Sequence, residues 1–292
     1  MIIMSIIALV AFGLKLCIDF TGGSLLEIEF AIPRPNNQQI NDILTTNGIN
    51  NAIVQPIGEK EVEIRFKDID EATHQKVLAE LKNNLKPTEF KEGDTVLTEK
   101  RFDSIGPSIG NELKKKTVWA IIIVSIAIIA YIAWAFRKVS KPIASWKYGV
   151  IAVVALIHDI IITVGLFAIL GKFYGIEANA PFIAALLTIF GYSNNDTIVV
   201  FDRIRENLIR HRGDDFEDIV DRSINEVIVR SINTSVTVLL ALFVLLLFGG
   251  ATIRDFVLAL IFGVIIGTYS SVFLASPLLV VWEKWLMSRK QQ

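Results

Sequence analysis

A single cysteine, Cys17, in 292 residues excludes any disulfide within the chain and leaves the redox compartment unread; a place in packing near a membrane edge suits it. Excess charge of either sign is missing as well. The formal net charge is −1, so nothing in the balance points to nucleic acid as a partner. The apolar segment that opens the chain, Ile2 to about Leu16, has no basic flank before it and no small-residue cleavage site after it. Those absences exclude a secretory signal peptide. The segment is short for a membrane span, and it reads as a first membrane helix whose cytoplasmic start is missing.

What the chain has in quantity is long uncharged apolar sequence. Val118–Phe136, Val150–Leu170, Phe182–Phe201, Val236–Phe248 and Phe256–Trp282 are nearly free of charge. A helix needs roughly 20 mostly apolar residues to cross the hydrocarbon core. Four of these runs have that length, and Val236–Phe248 reaches it by starting near Val227, which takes Arg230 inside. Six membrane helices follow, at 1–17, 117–136, 148–170, 181–201, 227–249 and 256–282, with a polar domain at 18–116, a charged amphipathic segment at 202–226 and a tail at 283–292.

Loop charges orient the spans. Arg137, Lys138, Lys141 and Lys147 lie in one loop with no acid, whereas Gly171–Ala180 has only Lys172 opposed by Glu177. Arg203, Arg205, Arg210, Arg212 and Arg222 follow the fourth helix, and Lys284, Arg289 and Lys290 end the chain. By the positive-inside rule these segments are cytoplasmic. Both termini are then expected inside, and residues 18–116 outside the cytoplasm. The charged segment 202–226 reads either as amphipathic helices at the membrane surface or as a solvated connection.

The polar domain reads as mixed α and β. Ser24–Ala31 alternates Leu26, Ile28 and Phe30 with Glu27 and Glu29, the period of a strand, and Pro33 and Pro35 end it. Asn37–Asn47 and Glu71–Leu85 have helical spacing, Ala52–Ile57 and Glu61–Lys67 form a hairpin around Gly58, and Thr95–Phe102 supplies a last strand. The order βαββαβ predicts a ferredoxin-like α+β fold. No catalytic constellation is visible there, and His74, set among polar residues on a helix, reads as a solvated surface histidine with no metal role.

Ionisable groups inside a membrane span cost about 2.5–3.5 kcal/mol and call for a reason. Asp196 lies about 20 Å inward from Phe182, counting about 1.5 Å per residue, with Tyr192, Ser193 and Val199 on its face and Asn195 beside it. Arg230 begins a polar stripe with Asn233, Thr234 and Thr237 at i, i+3, i+4 and i+7 on the next span. A carboxylate can take or release a proton while a guanidinium stays charged, which suits a proton relay. A permanent ion pair that docks the two helices suits the same residues. His158-Asp159, with Thr163 one turn beyond Asp159, sits mid-helix; Asp159 is either part of a proton path or hydrogen-bonded to a neighbouring helix or to His158. Gly263-x-x-x-Gly267 with Ser270 and Ser271 is a small-residue stripe for close helix packing.

Several strings resemble those of the SecD/SecF family. Gly191-Tyr192-Ser193-Asn194-Asn195-Asp196-Thr197-Ile198-Val199-Val200-Phe201-Asp202-Arg203-Ile204-Arg205-Glu206-Asn207 resembles the fourth-helix signature of the SecF branch. Ile18-Asp19-Phe20-Thr21-Gly22-Gly23 is similar to the motif after the first helix of both branches. Ile105-Gly106-Pro107-Ser108-Ile109-Gly110 resembles the stretch before the second, and Arg230-Ser231-Ile232-Asn233-Thr234-Ser235 that of the fifth. They occur in family order over nearly the whole chain. The resemblance implies a six-helix bundle of the resistance–nodulation–division type in the bacterial cytoplasmic membrane, half of a pseudo-symmetric pair with SecD. It also implies proton-motive force acting through Asp196 and Arg230, with Asp159 in a matching helix, to assist secretion through the Sec channel with its accessory membrane proteins and a translocating polypeptide. A coupling ion, H⁺ in preference to Na⁺, is expected, and no other cofactor.

Two other readings compete. A small-molecule or lipid exporter of the same superfamily would hold its substrate in large outer domains, and here only about 90 residues, enough for a core of their own, separate the first two helices. An intramembrane aspartyl protease would need two carboxylates sharing a proton; the surroundings of Asp159 and Asp196 lack the Gly-x-Gly-Asp context, and Arg230 favours an ionised aspartate. The chain is therefore expected not to be an enzyme.

Overall fold

The computed structural model describes residues 1–31, 33–50, 52–57, 59–85, 96–137, 144–211 and 213–290, without the side chains of 251, 252 and 290. The turn at Gly58, the strand start at Thr95 and the cations Lys138, Lys141, Arg212 and the Lys290 side chain lie outside the described residues. Two compact units emerge: Met1–Lys15 with Thr117–Gln292, and Leu16–Lys116. Helix α1 (Ile2–Phe12) belongs to the first.

The second unit opens with one turn, α2 (Ile18–Thr21), and continues as β1 (Gly23–Phe30), α3 (Asn37–Thr46), β2 (Ile53–Ile57), β3 (Glu61–Phe66), α4 (Glu71–Asn84) and β4 (Leu97–Ile105). The strands form an antiparallel sheet in the order β2-β3-β1-β4. Alternation sends Leu26, Ile28 and Phe30 of β1 into a core with Val62 and Ile64 of β3, closed by Ile40 and Leu44 of α3 and by Val77 and Leu81 of α4. The other side of the ladder sets Glu27 opposite Glu63 and Glu29 opposite Glu61. Both helices start on side-chain caps: Asn36 and Gln39 form a reciprocal capping box, and Asp70 accepts the Thr73 N–H at 3.1 Å. Gly22 has φ +75°, and a Cβ there would meet Pro107 Cα at 2.8 Å, so the turn from α2 into β1 demands glycine.

His74 corrects the sequence reading. It is not a surface residue: only 3% of it is exposed, and its ring stacks on Phe102 of β4 with centroids 3.6 Å apart. Glu71 Oε1 lies 3.2 Å from Nδ1 and Glu99 Oε1 lies 3.4 Å from Nε2. One flanking carboxylate, Glu71, is a neighbour in sequence, while Glu99 and the stacking partner Phe102 both lie on β4, which local spacing cannot foretell.

The first unit is helical: α1, α5 (Pro107–Ala135, from Thr117 on), α6 (Ser145–Tyr174), α7 (Ala180–Arg210), α8 (Phe216–Phe248), α9 (Ala251–Ser270), a π-helical turn at Ser271–Ala275 and α10 (Ser276–Lys290). Among the described residues, four stretches are long and apolar enough to cross a membrane: Pro107–Ala135, Ser145–Tyr174, Phe216–Phe248 and Ile253–Arg289. The stretch 202–226 is shared between the end of α7 and the start of α8. Arg203 Nε meets Glu226 at 2.5 Å there, and Asn207 donates to Ser223 at 3.0 Å. Glycines bring the helices close. A Cβ on Gly267 of α9 would lie 2.7 Å from Ser193 Cβ of α7, and one on Gly165 of α6 would run into Ser5 of α1.

Candidate functional site

Two buried carboxylates organise the helical unit. Asp159 of α6 is fully buried, at 0% exposure. Its Oδ2 accepts hydrogen bonds from Ser193 of α7 at 2.6 Å and from Ser270 of α9 at 2.8 Å, and its Oδ1 lies 3.0 Å from His158 Nδ1. Thr163 Oγ1 donates to the Asp159 carbonyl at 2.9 Å. One side chain thus ties three helices, and the π-helical turn begins directly after Ser270. A π turn shifts the residues after it around the helix axis and is frequent at functional positions.

Asp196 of α7 is 4% exposed and faces two hydroxyls, Ser235 of α8 and Thr268 of α9. These hydroxyls lie 2.5 Å from each other, and the Tyr192 hydroxyl donates to Ser235 at 3.3 Å. Asp196 Oδ2 and the nearby helix-α8 hydroxyl of Ser231 are both buried without a hydrogen-bond partner among the described residues. A buried acceptor left this way costs about 1–3 kcal/mol, more if charged.

The structure brings together Asp159, Ser193 and His158 in one cluster and Asp196 and Tyr192 in the other. The α8 stripe makes no hydrogen bond or ion pair with either carboxylate among the described residues, although the Arg230 charge is close enough to act on Asp196. Arg230 is exposed and makes no ion pair with Asp196 among the described residues. Asn195, Asn233, Thr234 and Thr237 are exposed too, and the two threonine hydroxyls donate to the carbonyls of Arg230 and Asn233 on their own helix. The face turned to Asp196 is instead that of Ser231 and Ser235. Five residues separate Arg230 from Ser235, about 140° around a helix, so the two rows point apart. Thr268 carried no signal in the sequence and Ser235 stood only inside the 230–235 string, since a hydroxyl among apolar neighbours does not foretell the carboxylate it will meet.

The long apolar helices, the small antiparallel domain and the buried carboxylates define a polytopic membrane protein with an ionisable core. Residues 86–285 match the family described as protein export membrane protein SecD/SecF, C-terminal, and residues 7–31 match the SecD/SecF GG motif. A protein translocase subunit SecF from Thermobaculum terrenum is 44% identical, over 97% of this chain and 89% of that protein. Its counterpart from Anaerolinea thermophila is 42% identical, over 97% and 89%. The crystal structure of SecDF, a translocon-associated membrane protein from Thermus thermophilus, superposes with a TM-score of 0.79 at 33% identity, covering 97% of this chain and 36% of that one. The chain belongs to the SecD/SecF family, and within it to the SecF translocase subunits. Its role is in protein translocation, as a membrane protein of the bacterial inner membrane.

Proposed function

We propose that this subunit works with SecD to use a proton gradient in assisting polypeptide export, with Asp196 as the proton carrier. The observation that carries this reading is the Asp196 carboxylate, buried where α7, α8 and α9 meet with one oxygen unpartnered. A permanent Asp196–Arg230 ion pair is the weaker alternative, because Arg230 is exposed and no ion pair joins the two among the described residues. Arg230 then acts as a charged neighbour of the relay without holding the carboxylate in a fixed contact. Asp159, already hydrogen-bonded on both oxygens, holds α6, α7 and α9 in register and is a secondary member of the relay. Transport, not catalysis, is the output.

In this reading six helices cross the membrane, α1 and α7 joining the four most apolar stretches, and α9 with α10 forming one span. Both termini face the cytoplasm. The unit Leu16–Lys116 lies outside, and its βαββαβ order with central β1 and β3 supports a ferredoxin-like fold. The Sec channel and the translocating polypeptide are the further partners. The test is secretion in cells depleted of their own SecF and supplied with this chain or its Asp196→Asn variant. Export restored by the wild type alone, and abolished by a protonophore, is the expected result. Equal restoration by both would remove Asp196 from the mechanism.

A further inference from the structure

A cavity of about 550 Å³ opens between α5, α7 and α8 at the end of the helices where the arginines cluster. Three arginines and three carboxylates line it, so its wall has no net charge. Most of these groups are tied together. Arg203 meets Glu206 and Glu226, both at 2.5 Å, and Arg205 meets Asp202 at 2.8 Å. Ionisable side chains in membrane-spanning helices face the bundle interior or a water-filled cavity. This cavity is far larger than one water requires, and its charged wall offers each water several partners. A balanced wall selects neither anion nor cation; it holds water.

Two helix rows lead from the cavity to Asp196. On α7, Val199, Arg203 and Glu206 line the cavity and follow Asp196 at i+3, i+7 and i+10, the spacing of one helical side. On α8, Val227 lines the cavity, and Ser231 and Ser235 follow it at i+4 and i+8, all three buried. Ser235 faces the Asp196 carboxylate. Ser231 therefore stands one turn, about 6 Å along the helix, from that contact on the side of the cavity. The Ser231 hydroxyl and Asp196 Oδ2 are the groups left buried without a hydrogen-bond partner on this route, among the described residues.

We infer that the cavity is the water-filled exit for the Asp196 proton, with Ser231 as the hydroxyl between carboxylate and water. This rests on Asp196 as the proton carrier and on the arginine end facing the cytoplasm. The Asp196 proton passes to the Ser231 oxygen as the Ser231 proton passes to a cavity water, so the hydroxyl is restored and one proton moves on. The full chain in complex with SecD is tested in two ways. In inverted membrane vesicles, which present the cytoplasmic side, a charged membrane-impermeant methanethiosulfonate is applied to single-cysteine variants with Cys17 replaced by serine. Val199→Cys should react at least about tenfold faster than Leu240→Cys, which is 63% exposed on α8 outside the cavity, because the reactive thiolate forms in water. Equal rates, or reaction only in right-side-out vesicles, would overturn the inference. Proton uptake by proteoliposomes is then followed with a pH-sensitive dye under an imposed gradient. Ser231→Ala should slow uptake about tenfold or more while unfolding at the wild-type midpoint, since the hydroxyl it removes has no protein partner to lose. Ser231→Thr, which keeps the hydroxyl, should take up protons as wild type does. Normal uptake by Ser231→Ala, or equal loss in the alanine and threonine variants, would remove Ser231 from the route and overturn the inference. Asp196→Asn keeps the two ideas apart. Full uptake by that variant would sink the carrier and its exit together, whereas its loss beside normal uptake in Ser231→Ala would sink the exit alone.

Discussion

Asp159 and Ser270 stand 2.8 Å apart, carboxylate to hydroxyl, although 111 residues separate them in the chain. Ser193 meets the same oxygen at 2.6 Å, so one carboxylate fastens α6, α7 and α9 together. Removing it leaves the buried Ser193 hydroxyl without this acceptor, at roughly 1–3 kcal/mol, and leaves Ser270 only the Gly267 carbonyl at 3.1 Å. Asp159→Ala should therefore destabilise the helical unit by about 3 kcal/mol, and Asp159→Asn by clearly less, since an amide oxygen still accepts. Unfolding of the purified protein in detergent measures this. An unchanged midpoint for the alanine variant would mean that the cluster fastens nothing.

The glycine that lets this fastening form is Gly267. Its added Cβ would stand 2.7 Å from Ser193 Cβ, a backbone-anchored atom that cannot swing aside. Gly267→Ala has to push α9 off α7, which costs about 1–3 kcal/mol as overpacking, and it pulls Ser193 away from Asp159. The variant should unfold earlier. Combined with Asp159→Ala its cost should be less than additive, because the two changes break one contact.

How far the sequence foretold this arrangement follows from the range of the forces involved. Alternation in β1 and helical spacing in α3 and α4 are local patterns, and they read directly as a βαββαβ order. Asp159 and Asp196 stood out because a carboxylate in an apolar run has no cheap explanation. The His158 partner of Asp159, adjacent in sequence, was legible too; the partners of Asp196 were not. Ser235 and Thr268 approach Asp196 from two other helices, and that meeting is fixed by helix packing, which spacing along one helix does not contain. Helical phase did allow a warning at Arg230: its row is a different one from that of Ser231 and Ser235, but only the position of α7 decides which row faces inward. His74 failed for the same reason, since Phe102 reaches it from β4.

That histidine gives a third expectation. His74 fills a buried place between α4 and β4, with a ring on one side and carboxylates at both nitrogens. His74→Ala opens a cavity and removes the stack, a change of about 2–3 kcal/mol by the scale of buried large-to-small substitutions and aromatic pairs. Hydrogen exchange on the full chain should show faster exchange in α4 and β4, with the protection of α6 and α7 unchanged. If the α4 amides exchange as in wild type, the ring contributes no more than a surface residue would.

Glu27 carries the pH dependence. It sits in β1 directly opposite Glu63, with Glu61 nearby. Partial burial, then the repulsion of Glu61 and Glu63, pushes its carboxyl above the ordinary glutamate range, and Arg101 and Lys100 offset this only in part. A group that holds its proton more tightly folded than unfolded adds stability at low pH and loses it as pH rises through the folded value. At neutral pH the charged Glu27 is therefore a burden on the sheet. Glu27→Gln should stabilise the domain at pH 7, by less than about 1 kcal/mol because water screens the site, and the advantage should vanish below about pH 4, where the wild-type carboxyl is itself protonated. Amide exchange in β1 and β3, followed across that range for both proteins, decides it: protection in the variant should exceed wild type at neutral pH and converge in acid. A constant difference would assign the effect to side-chain packing and not to charge.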